Sequence, residues 1–236
     1  MSSPYESRAN GLDKGDKTPA VRPKDAATLI LVRRDAEHPR VLLGKRSAKH
    51  AFMPDKFVFP GGRVDPGDGR VPSLSELPRD TEGKLCIQAR RKPRAFALTA
   101  IRETFEETGL IVGRTGEVAG TRPPGWPAYF EEGAAPCLKG LHFVGRAVTP
   151  PYRPKRFDAR FFYGEAEDVL IDERPAMDGA ELSELTWVTI EDSMAMDLPT
   201  ITRFMLGEIK ARLEGKDEGG PAFLRWSRGR HTMDRL

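Results

Sequence analysis

Apolar positions recur with helical spacing along one stretch of the chain, residues 97–110, which read ALTAIRETFEETGL. Leu98, Ile101 and Phe105 share one stripe of such a helix, because residues three, four and seven apart lie on the same face. Gly109 follows the last periodic turn, where a left-handed glycine commonly ends a helix. The pattern therefore predicts an amphipathic helix that ends at Gly109.

The opposite stripe of this predicted helix is acidic. It carries Glu103, Glu106 and Glu107. Like charges one turn apart repel, and only Arg102, one turn before Glu106, offsets the repulsion locally. Hard divalent cations such as Mg²⁺ prefer carboxylate oxygens, so a bound metal would relieve it. Taken alone, the stripe favours a solvated acidic surface, since charge runs usually lie at the surface.

Short apolar, β-rich runs predict strands on both sides of the helix. These strands are predicted at residues 26–32, 40–46, 56–59, 141–148, 158–164, 185–190 and 222–226, with a strand start at 111–112. Further helical segments are predicted at residues 128–132, from 190 onward and at 199–213. Strands that alternate with two main helices favour an α/β fold, here an α/β/α sandwich with a mixed sheet.

The domain organisation follows from composition along the chain. Residues 1–24 are rich in Ser, Gly, Pro, Asp and Lys, which is typical of a disordered segment. Residues 25–236 are predicted to form a single domain, which is long enough for a substantial core. Residues 69–92 are polar with weak periodicity and are interpreted as an insertion, with one helical turn at 74–77. Pro93 then suits the first turn of the acidic helix.

Composition and charge argue against several classes of protein. The net charge of +3 suits an anionic small molecule, and without a block of consecutive Lys and Arg we expect no nucleic-acid partner. Cys86 and Cys137 are isolated, which indicates neither a zinc site nor a disulfide framework and favours the cytoplasm. No run of 18 apolar residues occurs, so no membrane partner is expected.

A glycine turn precedes the acidic helix. Residues 59–68 read FPGGRVDPGD, and a Pro-Gly-Gly run directly after a strand predicts a tight turn that another group can approach closely. With the helix, this segment resembles the Nudix box, which is a glycine, an acid six positions later and then REUXEEXGU, with U apolar. Gly61-Gly62, Asp68 and the helix supply these parts in order.

Three departures from the Nudix box are visible. The spacer before the Arg-Glu pair, usually seven residues, is 33 residues here, from Gly69 to Ile101. The acid after the glycine turn is Asp68 rather than Glu, and Thr104 stands where an apolar residue is usual. The long spacer keeps the turn and the helix in order but places an additional lobe between them.

One branch of the family is the nearer resemblance, namely the peroxisomal coenzyme A diphosphatase type and its bacterial relatives. It shares the lead-in from Phe52-Met53-Pro54 to VFPGG and the Arg-Glu-Thr-Phe-Glu-Glu helix. The resemblance implies a metal-dependent hydrolase of a diphosphate linked to another moiety, with Mg²⁺ or Mn²⁺ and with coenzyme A or an acyl-coenzyme A as the leading substrate. ADP-ribose, a dinucleotide or a nucleoside triphosphate, or a non-catalytic binding module, are the alternatives.

The resemblance also implies roles for individual residues. Glu103, Glu106, Glu107 and a backbone carbonyl of the glycine turn, at Gly61, are expected to hold the metal. Arg102, grouped with the catalytic residues, is expected to orient Glu106 rather than to touch substrate. Asp68 is expected to shape the loop.

The general base and the substrate contacts lie outside the box. Glu181 and Glu184 are the leading candidates for the base, and Asp158 and Glu165 flank another strand. Relatives of this type are often homodimers, so a homodimer is possible here as well.

The candidates for substrate binding are cationic or aromatic side chains. The cationic candidates are Lys45 and Arg46 at the end of the second strand and Arg153 and Arg156 on a proline-stiffened loop. The aromatic candidates for stacking on a base are Tyr152 and Trp126.

Overall fold

The computed structural model describes residues 21–47, 54–179, 181–216 and 219–236. Residues 1–20 of the predicted disordered segment and the lead-in residues Phe52 and Met53 therefore lie outside the described residues. Within the described part, the first strand begins at Lys24, one residue before the predicted domain boundary.

Strands and helices alternate along the described chain. The strands are β1 (Lys24–Arg33), β2 (Arg40–Arg46), β3 (Phe57–Val58), β4 (Gly61–Arg63), β5 (Arg114–Thr115), β6 (Ala134–Ala135), β7 (His142–Val148), β8 (Phe157–Glu165), β9 (Leu182–Thr189), β10 (Ala222–Ser227) and β11 (Arg230–Arg235). The helices are α1 (Arg79–Cys86), α2 (Pro93–Thr108), α3 (Pro127–Glu131), α4 (Ala166–Val169), α5 (Ile190–Ser193) and α6 (Thr200–Leu213).

One mixed sheet organises these elements. Its strand order is β11-β10-β7-β8-β1-β2-β3, with β4 also paired to β1 and β9 also paired to β2. The pairs β1–β8 and β7–β10 are parallel, and the remaining pairs of this sheet are antiparallel. The predicted mixed sheet is confirmed.

Both faces of the sheet are covered. Because side chains alternate along a strand, β1 sends Ala27, Leu29 and Leu31 to the face that packs against α2, and Ile30 and Val32 to the face that packs against α6. All five side chains are fully buried. The predicted α/β/α sandwich is therefore confirmed.

Helix α2 forms as its sequence predicts. Pro93 occupies the first turn, and Leu98 and Ile101 are fully buried against the sheet. Gly109 ends the helix with φ 71°, a left-handed conformation that favours glycine, and its N–H donates to the carbonyl of Phe105 at 2.8 Å. The helix therefore holds its acidic residues at fixed positions on a rigid element.

The insertion is docked against the body of the fold. It contains α1, which the weak periodicity did not predict, whereas the helical turn predicted at residues 74–77 is wrong because these residues are not helical. Leu77 and Leu85 join the core beneath α2. Arg146 of β7 donates to the carbonyl of Ile87 at 2.9 Å, which ties the end of α1 to the sheet.

Two smaller differences concern strands. The strand start predicted at residues 111–112 is wrong, because Val112 makes only an isolated bridge to Leu170. The strand β11 was not predicted, since its residues are mostly charged and exposed. Among the described helices, none combines the length and the apolar character needed to cross a bilayer.

Candidate active site

The glycine turn and the acidic helix meet through β4. Gly61 and Gly62 pair with Thr28 and Ala27 of β1, and this pairing brings them under α2. The N–H of Gly61 donates to Oε2 of Glu107 at 2.8 Å. A Cβ atom on Gly62 would lie 2.3 Å from the carboxylate of Glu103, so no side chain fits there. The turn requires glycine because a carboxylate lies directly against its backbone.

Burial dominates the electrostatics of this group. It raises the pKa of Glu107 to about 8 and the pKa of Glu103 to about 7. Burial also raises the pKa of Glu106. Glu107 is 4% exposed, and its Oε1 atom has no hydrogen-bond partner among the described residues. A buried carboxylate oxygen without a donor is costly, and a cation is the partner that would satisfy it.

The carboxylates of Glu103, Glu106 and Glu107 are suitable ligands for Mg²⁺ or Mn²⁺, although they do not surround a common point. No three acidic, His or Cys side chains of the described residues lie close enough together to hold an ion as they stand. Arg102 Nη1 lies 2.9 Å from one carboxylate oxygen each of Glu103 and Glu106. The second oxygen of each carboxylate would be the one to bind an ion.

Asp68 is the second buried carboxylate of the region. It is fully buried and accepts hydrogen bonds from Arg102 Nε at 3.0 Å, Thr99 Oγ1 at 2.7 Å and Trp126 Nε1 at 3.0 Å. Burial alone would raise the pKa of Asp68, but these donors, led by Arg102, hold it below its ordinary value. Asp68 therefore fixes the guanidinium that orients Glu106.

Arg102 lies among three acidic side chains. Its side chain is 5% exposed, and its pKa is raised although burial opposes this, because Asp68, Glu103 and Glu106 surround it. Arg102 thus lies within hydrogen-bond distance of Glu106, and its role in orienting that carboxylate stays a prediction. Thr104, the other departure from the box, is fully buried and donates to the carbonyl of Ala100 at 2.7 Å, so its hydroxyl costs the core no unpaired donor.

The structure separates the two candidates for the general base. Glu181 is exposed and lies close enough for its charge to raise the pKa of Glu103 and Glu107. Glu184 instead binds Lys45, with Oε1 2.8 Å from Nζ. Of the described candidates, Glu181 is therefore the one next to the buried carboxylates.

The basic candidates divide in the same way. The charge of Arg46 lowers the pKa of Glu107, which places Arg46 beside the site. Lys45 is held by Glu184, as described above. Arg156 donates to the carbonyl of Thr149 at 3.0 Å and so braces its own loop. Arg153 lies 5.7 Å from the ring centroid of Tyr152, on the loop between β7 and β8.

The remaining candidates are engaged elsewhere. Asp158 binds Arg146 at 2.7 Å, and Glu165 accepts from the hydroxyl of Tyr163 at 2.7 Å. The prediction that Trp126 stacks on a substrate base is wrong, because its ring is fully buried and its Nε1 binds Asp68.

Sequence reasoning missed Thr99 as a member of the site, and it missed the contact of Trp126 with Asp68. Trp126 lies 58 positions from Asp68 in the chain, so no local pattern connects the two. The only local signal was the buried side of α2, on which Thr99 lies one turn before Arg102 and Glu103.

No family model matches the chain. The Caenorhabditis elegans protein provisionally named nudix hydrolase 7 is 28% identical over 178 residues, which cover 70% of this chain and 51% of the relative. The acyl-coenzyme A diphosphatase NUDT19 of Xenopus laevis is 33% identical over 94 residues, which cover 30% of this chain and 25% of the relative. The chain thus spans about half or less of the length of these curated relatives.

A solved structure is also similar to this chain. The crystal structure of a Nudix hydrolase from Alicyclobacillus acidocaldarius is similar with a TM-score of 0.58 and 29% identity. The match covers 79% of this chain and 90% of that one.

Proposed function

Because the chain belongs to the Nudix hydrolase family, we propose that it hydrolyses a diphosphate linked to another moiety, with Mg²⁺ or Mn²⁺, at the carboxylates of α2. The observation that carries this proposal is the buried Oε1 atom of Glu107, which lacks a donor where the glycine turn meets the helix. Three like charges on one helix face are unfavourable without a cation, which argues for retained catalysis rather than for a binding module alone.

We assign the metal to Glu103, Glu106 and Glu107, with the carbonyl of Gly61. Bound there, the ion would neutralise phosphate oxygens and lower the pKa of a water molecule. Arg102 contacts one oxygen each of Glu103 and Glu106 and would orient these two carboxylates toward the ion.

We assign the general base to Glu181 and phosphate binding to Arg46. Both assignments rest on the charge that each residue exerts on Glu107. The pair Lys45–Glu184 is assigned to the shape of the loop, because each partner neutralises the other. Arg153 and Arg156 stay candidates for contacts with the part of the substrate remote from the diphosphate.

The leading substrate is coenzyme A or an acyl-coenzyme A. The support is the 33% identity to an acyl-coenzyme A diphosphatase, together with Lys45 and Arg46 at the end of β2. ADP-ribose, a dinucleotide or a nucleoside triphosphate would use the same carboxylates, and the insertion would contribute to the choice among them. The cytoplasmic location and the homodimer stay predictions.

The test is a panel of coenzyme A, an acyl-coenzyme A, ADP-ribose, a dinucleotide and a nucleoside triphosphate, each with Mg²⁺ or Mn²⁺. Hydrolysis of the bridging bond should release two phosphate-bearing products, and Glu107→Gln should lower its rate roughly 10³-fold. Glu117→Gln is the matched control, since Glu117 is exposed and lies outside the site. Tight binding without turnover by the unaltered chain would favour the binding module instead.

A further inference from the structure

An irregularity in the pairing of β2 with β9 lies beside the candidate active site. Between the pairs Leu43–Thr186 and Lys45–Ser183, β2 contributes one residue and β9 contributes two, so β9 contains a β-bulge. Glu184 lies in the bulge with φ 49°, a left-handed conformation that residues other than glycine rarely adopt. Such a conformation persists only where the surrounding structure holds it.

Asp178 provides that support. Its two carboxylate oxygens accept hydrogen bonds from the N–H groups of Glu184 and Leu185, each at 3.1 Å. A bulge removes amides from the regular ladder, and each amide then needs another acceptor. A single side chain from the preceding loop therefore satisfies both amides of the bulge.

The bulge sets the direction of one acidic side chain, and the loop before β9 carries the other. An extra residue in a strand changes the face of the side chains beyond it, and Glu184, within the bulge, turns to Lys45. Glu181 lies directly before Leu182, the first residue of β9, and its charge acts on Glu103 and Glu107.

The loop that carries Asp178 is fastened to the end of α2. The N–H of Met177 donates to the carbonyl of Thr108 at 2.9 Å. A Cβ atom on Gly179 would lie 2.7 Å from the carbonyl oxygen of Glu107, so this loop packs directly on the backbone of the acidic turn. Asp178 thus joins two elements, the bulge of β9 and the part of the helix that bears Glu107.

We propose that Asp178 is a positioning residue that fixes Glu181 beside the carboxylates of α2 through the bulge of β9. This inference rests on the proposed function, because it assigns Glu181 to the same site. It adds a residue that touches neither metal nor substrate, and it explains why Glu181 rather than Glu184 reaches the site.

The test is a double-mutant cycle on the full chain with Asp178→Ala, Glu181→Gln and the double variant. Glu181→Gln should lower kcat about 100-fold, as for loss of a general base. Asp178→Ala should lower kcat roughly 10-fold with KM within about twofold, and it should add nothing further in the Glu181→Gln background. Asp178→Asn, which keeps one acceptor oxygen, should recover part of the loss.

Asp172→Ala is the matched control. Asp172 is an exposed Asp of the same connection and also accepts a backbone N–H, from Arg174 at 3.1 Å, but it lies outside the site. It should leave kcat unchanged while shifting the melting temperature by a similar amount. A binding titration with Mn²⁺ alone gives a readout independent of turnover, in which Asp178→Ala and Glu181→Gln should each weaken affinity about threefold and non-additively.

The inference is overturned if Asp178→Ala behaves like the control, or if its loss is the same with and without Glu181. If the unaltered chain hydrolyses no diphosphate but the Mn²⁺ affinities follow the non-additive pattern, the positioning role stands and the proposed hydrolysis fails. If hydrolysis is robust and Glu181→Gln has no effect on kcat or on Mn²⁺ affinity, the proposed hydrolysis stands and the positioning role of Asp178 fails.

Discussion

Asp68 and Glu107 are two carboxylates at α2 that are buried to nearly the same extent, yet their surroundings are opposite. Asp68 accepts hydrogen bonds from Arg102, Thr99 and Trp126, and its pKa is lowered. Within the described part of the chain, Glu107 accepts one, from the N–H of Gly61, and burial raises its pKa to about 8. The difference shows that Asp68 is satisfied by donors of the protein itself, and it supports the proposal that a bound cation completes the surroundings of Glu107.

The same comparison gives opposite dependences of stability on pH. For Glu107, the folded protein retains a proton that the unfolded chain releases, so the free energy of unfolding falls as pH rises from about 4.5 to about 8. For Asp68, the stabilisation is present above the ordinary pKa of 3.8 and is lost as pH falls below it. A cation at Glu107 would displace the proton and remove the first effect.

The largest expected effect is on turnover. Glu107→Gln should lower kcat/KM roughly 10³-fold, because loss of a metal ligand removes ~4 kcal/mol of transition-state stabilisation. It should leave the metal-free protein as stable as before, since a neutral amide resembles the protonated carboxyl group. Kinetics and urea unfolding on the same samples would check both predictions. A large loss of stability would contradict the interpretation that the Glu107 carboxyl is protonated in the metal-free protein.

The next effect is on stability. Asp68→Asn should lower the free energy of unfolding by about 3–5 kcal/mol, because it leaves the Arg102 guanidinium buried without its main counter-charge. Urea unfolding at pH 7 measures this, with the exposed Asp172→Asn as the control. If Asp68→Asn unfolds at the same urea concentration as the control, Asp68 is not the structural centre of this side.

A smaller effect is expected from the aromatic donor. Trp126→Phe removes the hydrogen bond to Asp68 and should destabilise the protein by ~2 kcal/mol. Because Trp126 is fully buried, KM for any diphosphate should stay within about twofold, as measured by initial rates at several substrate concentrations. A selective rise in KM would instead restore the stacking role that burial rules out.

The features that depend on a local sequence pattern, namely α2 and the glycine turn, could be predicted from the sequence. Leu98, Ile101 and Gly109 defined α2 and its end, and the glycine turn identified the group that packs on it. The pairing of Asp68 with Trp126 could not be predicted, because it depends on long-range contact.

The choice between Glu181 and Glu184 was also beyond local pattern. Strand alternation gives Glu184 a face only if the strand is regular, and the bulge at Glu184 breaks that regularity, whereas Glu181 lies in the loop before the strand. Helix α1 was missed for a related reason, since its short amphipathic signal is weak and its packing onto the core fixes it.

The most direct test of the central claim is the number of protons released when Mn²⁺ binds, measured by titration calorimetry at pH 7 in two buffers of different ionisation enthalpy. The unaltered chain should release about one proton per bound site, because Glu107, with a pKa of about 8, is mostly protonated before the ion arrives. Glu107→Gln should release fewer and bind more weakly. Binding with no proton release, or equal release by the variant, would contradict the claim that a cation binds at Glu107 and displaces its proton.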